Sequence, residues 1–227
     1  MPELKAILWD HDGTLVNTEP YWIEAEIELA QKFDVIWTEQ NALDLVGGPM
    51  LETGRTLNAA GIRMEPSEIV DWLVNRVDEL MDEKGILWMP GVQKIFAECA
   101  EQNIPCAIVS NAGRKVVGKT ASYLPQDVIK FTLTADEMIV AKPDPWPFAH
   151  AAEVLGVAPE NCIAIEDSLP GTLSAEAAGI PVLVVRGHAP VPAGAHRSRV
   201  DDLSEITLDD LRDIVNGKKF ELAEVSQ

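Results

Sequence analysis

Five short apolar runs constrain this chain more than any other feature. They are Leu4 to Trp9, Cys106 to Val109, Phe131 to Leu133, Cys162 to Ile165 and Pro181 to Val185. Short runs of this kind, without polar alternation, suit strands buried on both faces of a parallel sheet. Helical stripes lie between them. Val92, Ile95, Phe96 and Cys99 mark one, opened by Pro90-Gly91, and Phe148, Ala152 and Leu155 mark another, closed by Gly156. Ala175 and Ala178 continue the series up to Gly179. Strands alternating with helices predict an α/β fold on a mainly parallel sheet, with the active site beyond the carboxyl ends of the strands.

The stretch from Thr18 to Met89 breaks the alternation. Thr18 is placed to cap a helix with one stripe of Ile23, Ile27 and Ala30 and a neighbouring one of Trp22, Leu29 and Phe33. Ile69, Leu73, Val77 and Leu80 form a further stripe, and shorter helical pieces are expected between. The expected division is therefore a core of residues 1–17 and 90–216, an inserted helical cap of 18–89, and a polar, frayed tail of 217–227. Trp22, Trp37, Trp72 and Trp88 are assigned to the packing of the insertion.

The 227 residues include 18 Lys and Arg against 37 Asp and Glu, a formal charge of −19. Such a surface repels phosphate backbones and anionic lipid, which argues against nucleic-acid and membrane partners. No apolar run is long enough to span a bilayer and no export signal is expected. Cys99, Cys106 and Cys162 show no paired spacing and read as reduced thiols of a cytoplasmic protein, Cys106 and Cys162 buried in strands.

The ends of the runs are polar. The first ends in Asp10 and Asp12, the second in Ser110-Asn111 and the fourth in Glu166-Asp167-Ser168, while Lys142-Pro143-Asp144 follows the third. A parallel sheet gathers all of these on one edge. Carboxylates so crowded cannot all ionise without a cation, and an oxygen-rich site with few protein ligands suits Mg²⁺. His11 is expected to point away from Asp10 and Asp12, since neighbours on a strand alternate faces. His150 is assigned to surface or packing, and His188 to Arg199, with Arg197 and Arg199, reads as solvated loop.

Asp10-His11-Asp12-Gly13-Thr14-Leu15, Ser110-Asn111, Lys142-Pro143 and Glu166-Asp167 resemble, in that order, the four motifs of the haloacid dehalogenase superfamily. The insertion after the first motif looks like that family's helical C1 cap. The resemblance runs from Leu4 to about Leu211. It implies a Rossmann-like core and an Mg²⁺-dependent phosphatase acting on a small phosphorylated metabolite. Asp10 would be the nucleophile and Asp12 the general acid and base. Ser110 and Lys142 would hold the phosphoryl oxygens, and Asn111 would orient the loop or contact substrate. Asp10, Asp167 and the backbone carbonyl of Asp12 would bind the metal, with Glu166 bound directly or through water. Gly47 and Gly48 are expected to approach the substrate.

The layout is similar to the β-phosphoglucomutase-like branch, including Thr18 and Tyr21. Mutases of that branch carry a His and an Arg where this chain has Trp22 and Met50, neither able to hold a second phosphate as Arg does. Hydrolysis is therefore expected over phosphoryl transfer within the sugar. Asp12 argues against a true dehalogenase, and Lys32 and Lys84 lack the context of a phosphonate-cleaving lysine. A sugar phosphomutase and a silent binding protein are the alternatives; a monomer is expected, with oligomeric state open.

Overall fold

A computed structural model describes residues 2–46 and 50–221. The chain forms two compact units, one of residues 1–17 with 88–227 and one of 18–87. Within the described residues the first unit contains a six-stranded sheet of order β3-β2-β1-β4-β5-β6, every neighbouring pair parallel. The strands are β1 (Ala6–Trp9), β2 (Cys106–Val109), β3 (Ile129–Leu133), β4 (Cys162–Glu166), β5 (Val182–Val185) and β6 (Arg197–Val200). This order reverses direction between β1 and β4, which is where doubly wound sheets open a crevice for ligands. The α/β reading of the sequence holds.

The central strands are as dry as their apolar runs predict. All residues of β1, β2, β4 and β5 are buried, because helices cover both faces. Leu8, Ala107, Val109 and Ala164 pack with Phe148 and Ala152 on one side. Trp9 stacks on Phe96 at 4.9 Å between ring centroids. These helices are α5 (Val92–Gln102), α6 (Arg114–Ser122), α7 (Trp146–Leu155), α8 (Leu169–Ala177) and α9 (Leu208–Val215), the earlier α1 to α4 belonging to the second unit. Gly156 and Gly179 end α7 and the turn after α8 with φ of 66° and 77°, the left-handed conformation glycine adopts freely.

The structure departs from the sequence expectation in two places. Arg197 to Val200 is no solvated loop but the edge strand β6, paired with β5 from Val182 to Val185. Its basic composition hid it. The guanidinium of Arg197 is drawn under α8 by Glu176, with Nε donating to Oε1 at 2.7 Å and NH2 pairing with the other oxygen, and the residue is 7% exposed. Nor is the chain frayed from Gly217 over its described part. Phe220 N donates to Ser198 Oγ at 3.1 Å, and Phe220 O accepts from Arg199 N at 2.8 Å, so Phe220 pairs with the sheet edge. Residues 222–227 of the expected tail lie outside the described residues.

The regular structure described in the second unit is all helical: α1 (Glu19–Lys32), α2 (Glu39–Leu43), α3 (Met50–Ala59) and α4 (Pro66–Lys84). The stripe of α4 is buried as expected at Ile69, Leu73, Val77 and Leu80. The buried face of α1 is rotated from expectation, to Tyr21, Ala25, Glu26, Leu29 and Ala30, because α1 packs on both α2 and α4. Thr18 makes no side-chain cap; its Oγ1 instead accepts from Trp22 Nε1 at 3.1 Å. Trp22, Trp37 and Trp72 are half-buried, Trp37 donating to the buried Glu26 carboxyl at 3.0 Å. Burial pushes that carboxyl up to about 7 against this hydrogen bond. No helix among the described residues is long and apolar enough to cross a membrane.

Breaking a buried ion pair strands a charge, so Arg197→Ala should lower stability by about 3 kcal/mol. Replacing both partners by apolar residues, Arg197→Met with Glu176→Leu, should cost less than the single change. Urea unfolding of the three variants measures both.

Candidate active site

The site begins where β1 stops. Asp10 is the first residue beyond Trp9, and its N–H continues the ladder to Ile165 O at 2.9 Å. The neighbouring strand β4 ends in Glu166, followed by Asp167. Carboxylates of both strands thus emerge side by side at the point where the sheet order reverses. Lys142, in the connection between β3 and α7, closes the group. Its ammonium donates to Asp10 Oδ1 and to Glu166 Oε1, each at 2.6 Å, and sits 4.9 Å from the Phe148 ring. The lysine side chain is 3% exposed and that of Glu166 fully buried.

Glu166 is committed on both oxygens. While Oε1 accepts from Lys142, Oε2 accepts from Asp167 N and Ser168 N at 3.1 Å and from Ser168 Oγ at 2.9 Å. Ser168 also caps α8, its hydroxyl accepting from Gly171 N at 3.2 Å. Glycines make this closeness possible. A methyl group on Gly171 would collide with Glu166 Oε1, and one on Gly13 with Asp167 Oδ2. Gly13 has φ of 79°, which also favours glycine.

Oxygens of Asp10, Glu166 and Asp167 lie within 4.8 Å of one another, the sole cluster of potential ligands among the described residues. One ammonium faces three carboxyls, and the imbalance shows in their proton affinities. Burial pushes Asp10 up to about 7, reinforced by Glu166 and opposed by Lys142. Asp167 is pushed up to about 8 by burial and then by Asp10 and Glu166. Burial alone would lower Lys142, but the Asp10 and Glu166 carboxylates outweigh it and hold the ammonium well above its ordinary value. Hard oxygen donors with uncompensated negative charge make Asp10, Glu166 and Asp167 a group that could hold a divalent cation.

The remaining candidates stand nearby on the same edge or outside the described residues. The Asp12 carboxylate is not part of the three-acid cluster, and its side chain is 43% exposed. Ser110 follows β2, the strand paired with β1, and is buried; its Oγ accepts from Ala112 N at 3.0 Å. Asn111 is exposed. Gly47 and Gly48 lie outside the described residues. Sequence reasoning misplaced His11. The strand ends at Trp9, so side-chain alternation lapses before His11, and Nδ1 comes within 3.2 Å of Asp12 Oδ2. It also passed over Thr120, whose hydroxyl lies 2.8 Å from His11 Nε2; a polar position inside a helix offers no signal of that contact.

The sequence model of the haloacid dehalogenase-like hydrolase family matches residues 7–185. The chain belongs to that family. As a haloacid dehalogenase-like hydrolase it is similar to hexitol phosphatase B of Escherichia coli strain K12, 28% identical over 92% of this chain and 97% of the relative. CbbY of Rhodobacter sphaeroides, solved as a mutant in complex with xylulose-(1,5)bisphosphate, is 26% identical with a TM-score of 0.74, covering 92% and 99% of the two chains. β-Phosphoglucomutase of Clostridium difficile, 22% identical over 94% and 97%, has the same fold with a TM-score of 0.72. The likeness to that mutase structure is one of fold.

A carboxyl raised by folding is more protonated in the native state than in the unfolded chain. Native Asp10 and Asp167 therefore bind more protons than their unfolded counterparts between about pH 4 and pH 8, and stability falls as pH rises through that window. Metal-free protein should melt at lower temperature at pH 8 than at pH 5.5. Asp167→Asn should flatten this dependence, which calorimetry across the range measures.

Proposed function

We propose that this chain is an Mg²⁺-dependent phosphomonoesterase of small phosphorylated sugars or similar metabolites, working through an aspartyl-phosphate at Asp10. The observation that carries the reading is the Lys142 ammonium clasped between Asp10 and Glu166 beside Asp167 at the carboxyl ends of β1 and β4. Phosphomonoester hydrolysis agrees with the family and with the phosphatase among the relatives, and a sugar phosphate agrees with the compounds those relatives are named for.

In the proposed reaction Asp10 attacks phosphorus, a bond forms between its carboxylate oxygen and phosphorus, and the bond to the leaving oxygen breaks. Asp12 delivers a proton to that oxygen as it departs. Lys142 and Ser110 face the phosphoryl oxygens and offset their charge. Asp12 then takes a proton from water, the water oxygen attacks phosphorus, and the bond to Asp10 breaks to release inorganic phosphate. Glu166 binds no substrate in this reading; it fixes Lys142. Asp10 and Asp167 would hold the Mg²⁺, whose positive charge would keep both ionised and favour a phosphate dianion in the site. The buried free thiols Cys99, Cys106 and Cys162 support a cytoplasmic setting.

A phosphomutase of the same branch is the second reading, and Trp22 and Met50 weigh against it because neither donates as Arg does to a second phosphate. Wild-type protein should release phosphate from p-nitrophenyl phosphate with Mg²⁺, lose this with a chelator, and fall by at least about 1,000-fold as Asp10→Asn. Full activity in that variant would overturn the covalent route. Formation of glucose 6-phosphate from β-glucose 1-phosphate faster than phosphate release would favour the mutase.

A further inference from the structure

We propose that His11 is a positioning residue for Asp12, anchored by Thr120. The proposal rests on the reading of Asp12 as general acid and extends it to the groups that aim the acid. His11 is fully buried, an uncommon place for an imidazole unless both nitrogens are used. Nε2 lies 2.8 Å from Oγ1 of Thr120, which is itself fully buried on α6. The Thr120 hydroxyl stands closer to Nε2 than to Val116 O, at 2.8 against 3.3 Å, so its single proton goes to Nε2 and the ring carries its own proton on Nδ1. That bond fixes the ring against the helix and leaves Nδ1 facing the nucleophile loop.

Nδ1 has no aligned hydrogen-bond partner, yet Asp12 Oδ2 stands 3.2 Å away. The distance is already within hydrogen-bond reach, so alignment needs a side-chain torsion at Asp12 and no backbone movement. The Asp12 backbone is held independently by the turn that follows, where Gly13 N donates to Val16 O at 2.9 Å and Leu15 N to His11 O at 2.9 Å. A rigid backbone, a half-exposed carboxyl and a buried imidazole beside it make a site in which the imidazole sets the direction of the carboxyl. Thr120, by fixing the imidazole, sets it in turn. A packing residue would need no nitrogen at either place.

A residue that aims the general acid matters most when the leaving group is a poor one. Phenyl phosphate and p-nitrophenyl phosphate have nearly the same shape, but the phenolate of the first is far more basic and depends more on protonation as it leaves. The value of kcat/KM reports the step that forms the aspartyl-phosphate. Thr120→Val keeps the side-chain volume and removes the anchor. Its kcat/KM should fall roughly tenfold on phenyl phosphate and less than about twofold on p-nitrophenyl phosphate, within the range that acid catalysis supplies. Thr120→Ser should restore the wild-type ratio.

His11→Phe, which keeps a buried ring without nitrogen, should show the same split and decides the matter if Thr120→Val does not fold by circular dichroism. Equal losses on the two esters, or no loss in folded variants, would overturn the positioning role and leave the phosphatase reading intact. A wild-type enzyme inactive on both esters would instead sink the phosphatase reading and the inference with it.

Discussion

One ammonium between two carboxylates holds the working end of this molecule together. Lys142 reaches from the connection after β3 to the ends of β1 and β4, and without it Asp10 and Glu166 would be buried anions side by side. Attraction in so dry a place is strong, but desolvation is costly too, so the pairing is stable only because the remaining lone pairs of Glu166 are met by Ser168 and two backbone N–H groups. The sheet supplies the rest: a parallel order with its reversal between β1 and β4 brings together residues more than 150 positions apart in the chain.

The charge of this arrangement remains unbalanced. Three carboxyls against one lysine leave the pocket negative, in a protein that is already strongly acidic. Such a protein would repel a phosphate ester at every approach unless the site itself carried a compensating cation. The same imbalance that raises Asp10 and Asp167 suits the cluster to a hard cation, whose charge would offset theirs.

Much of this was legible in the residues. Strands buried on both faces announce themselves as uninterrupted apolar runs, and polar residues at their ends can only converge if the strands are parallel; Asp10, Glu166 and Asp167 follow from that. The α4 stripe at Ile69, Leu73, Val77 and Leu80 was equally plain. Features lacking apolar signal were missed. The edge strand β6 is written Arg-Ser-Arg-Val, and its burial depends on Glu176, 21 positions before Arg197, which no local pattern reveals. The contact between His11 and Thr120 spans 109 positions and joins α6 to the loop after β1. The orientation of His11 was misjudged because the strand rule was carried past the last residue of the strand.

The glycines bear on how the site works as well as how it packs. Gly13, Gly171 and Gly187 each leave a void that the Glu166 or Asp167 side chain occupies, with backbone closing in where a larger residue would stand off. Walls so near allow those carboxylates few rotamers, so little entropy is lost and little reorganisation is needed when charge shifts during a reaction. Stiffness at the reacting centre thus comes from the smallest residues in the chain, through the shape of what they leave unfilled.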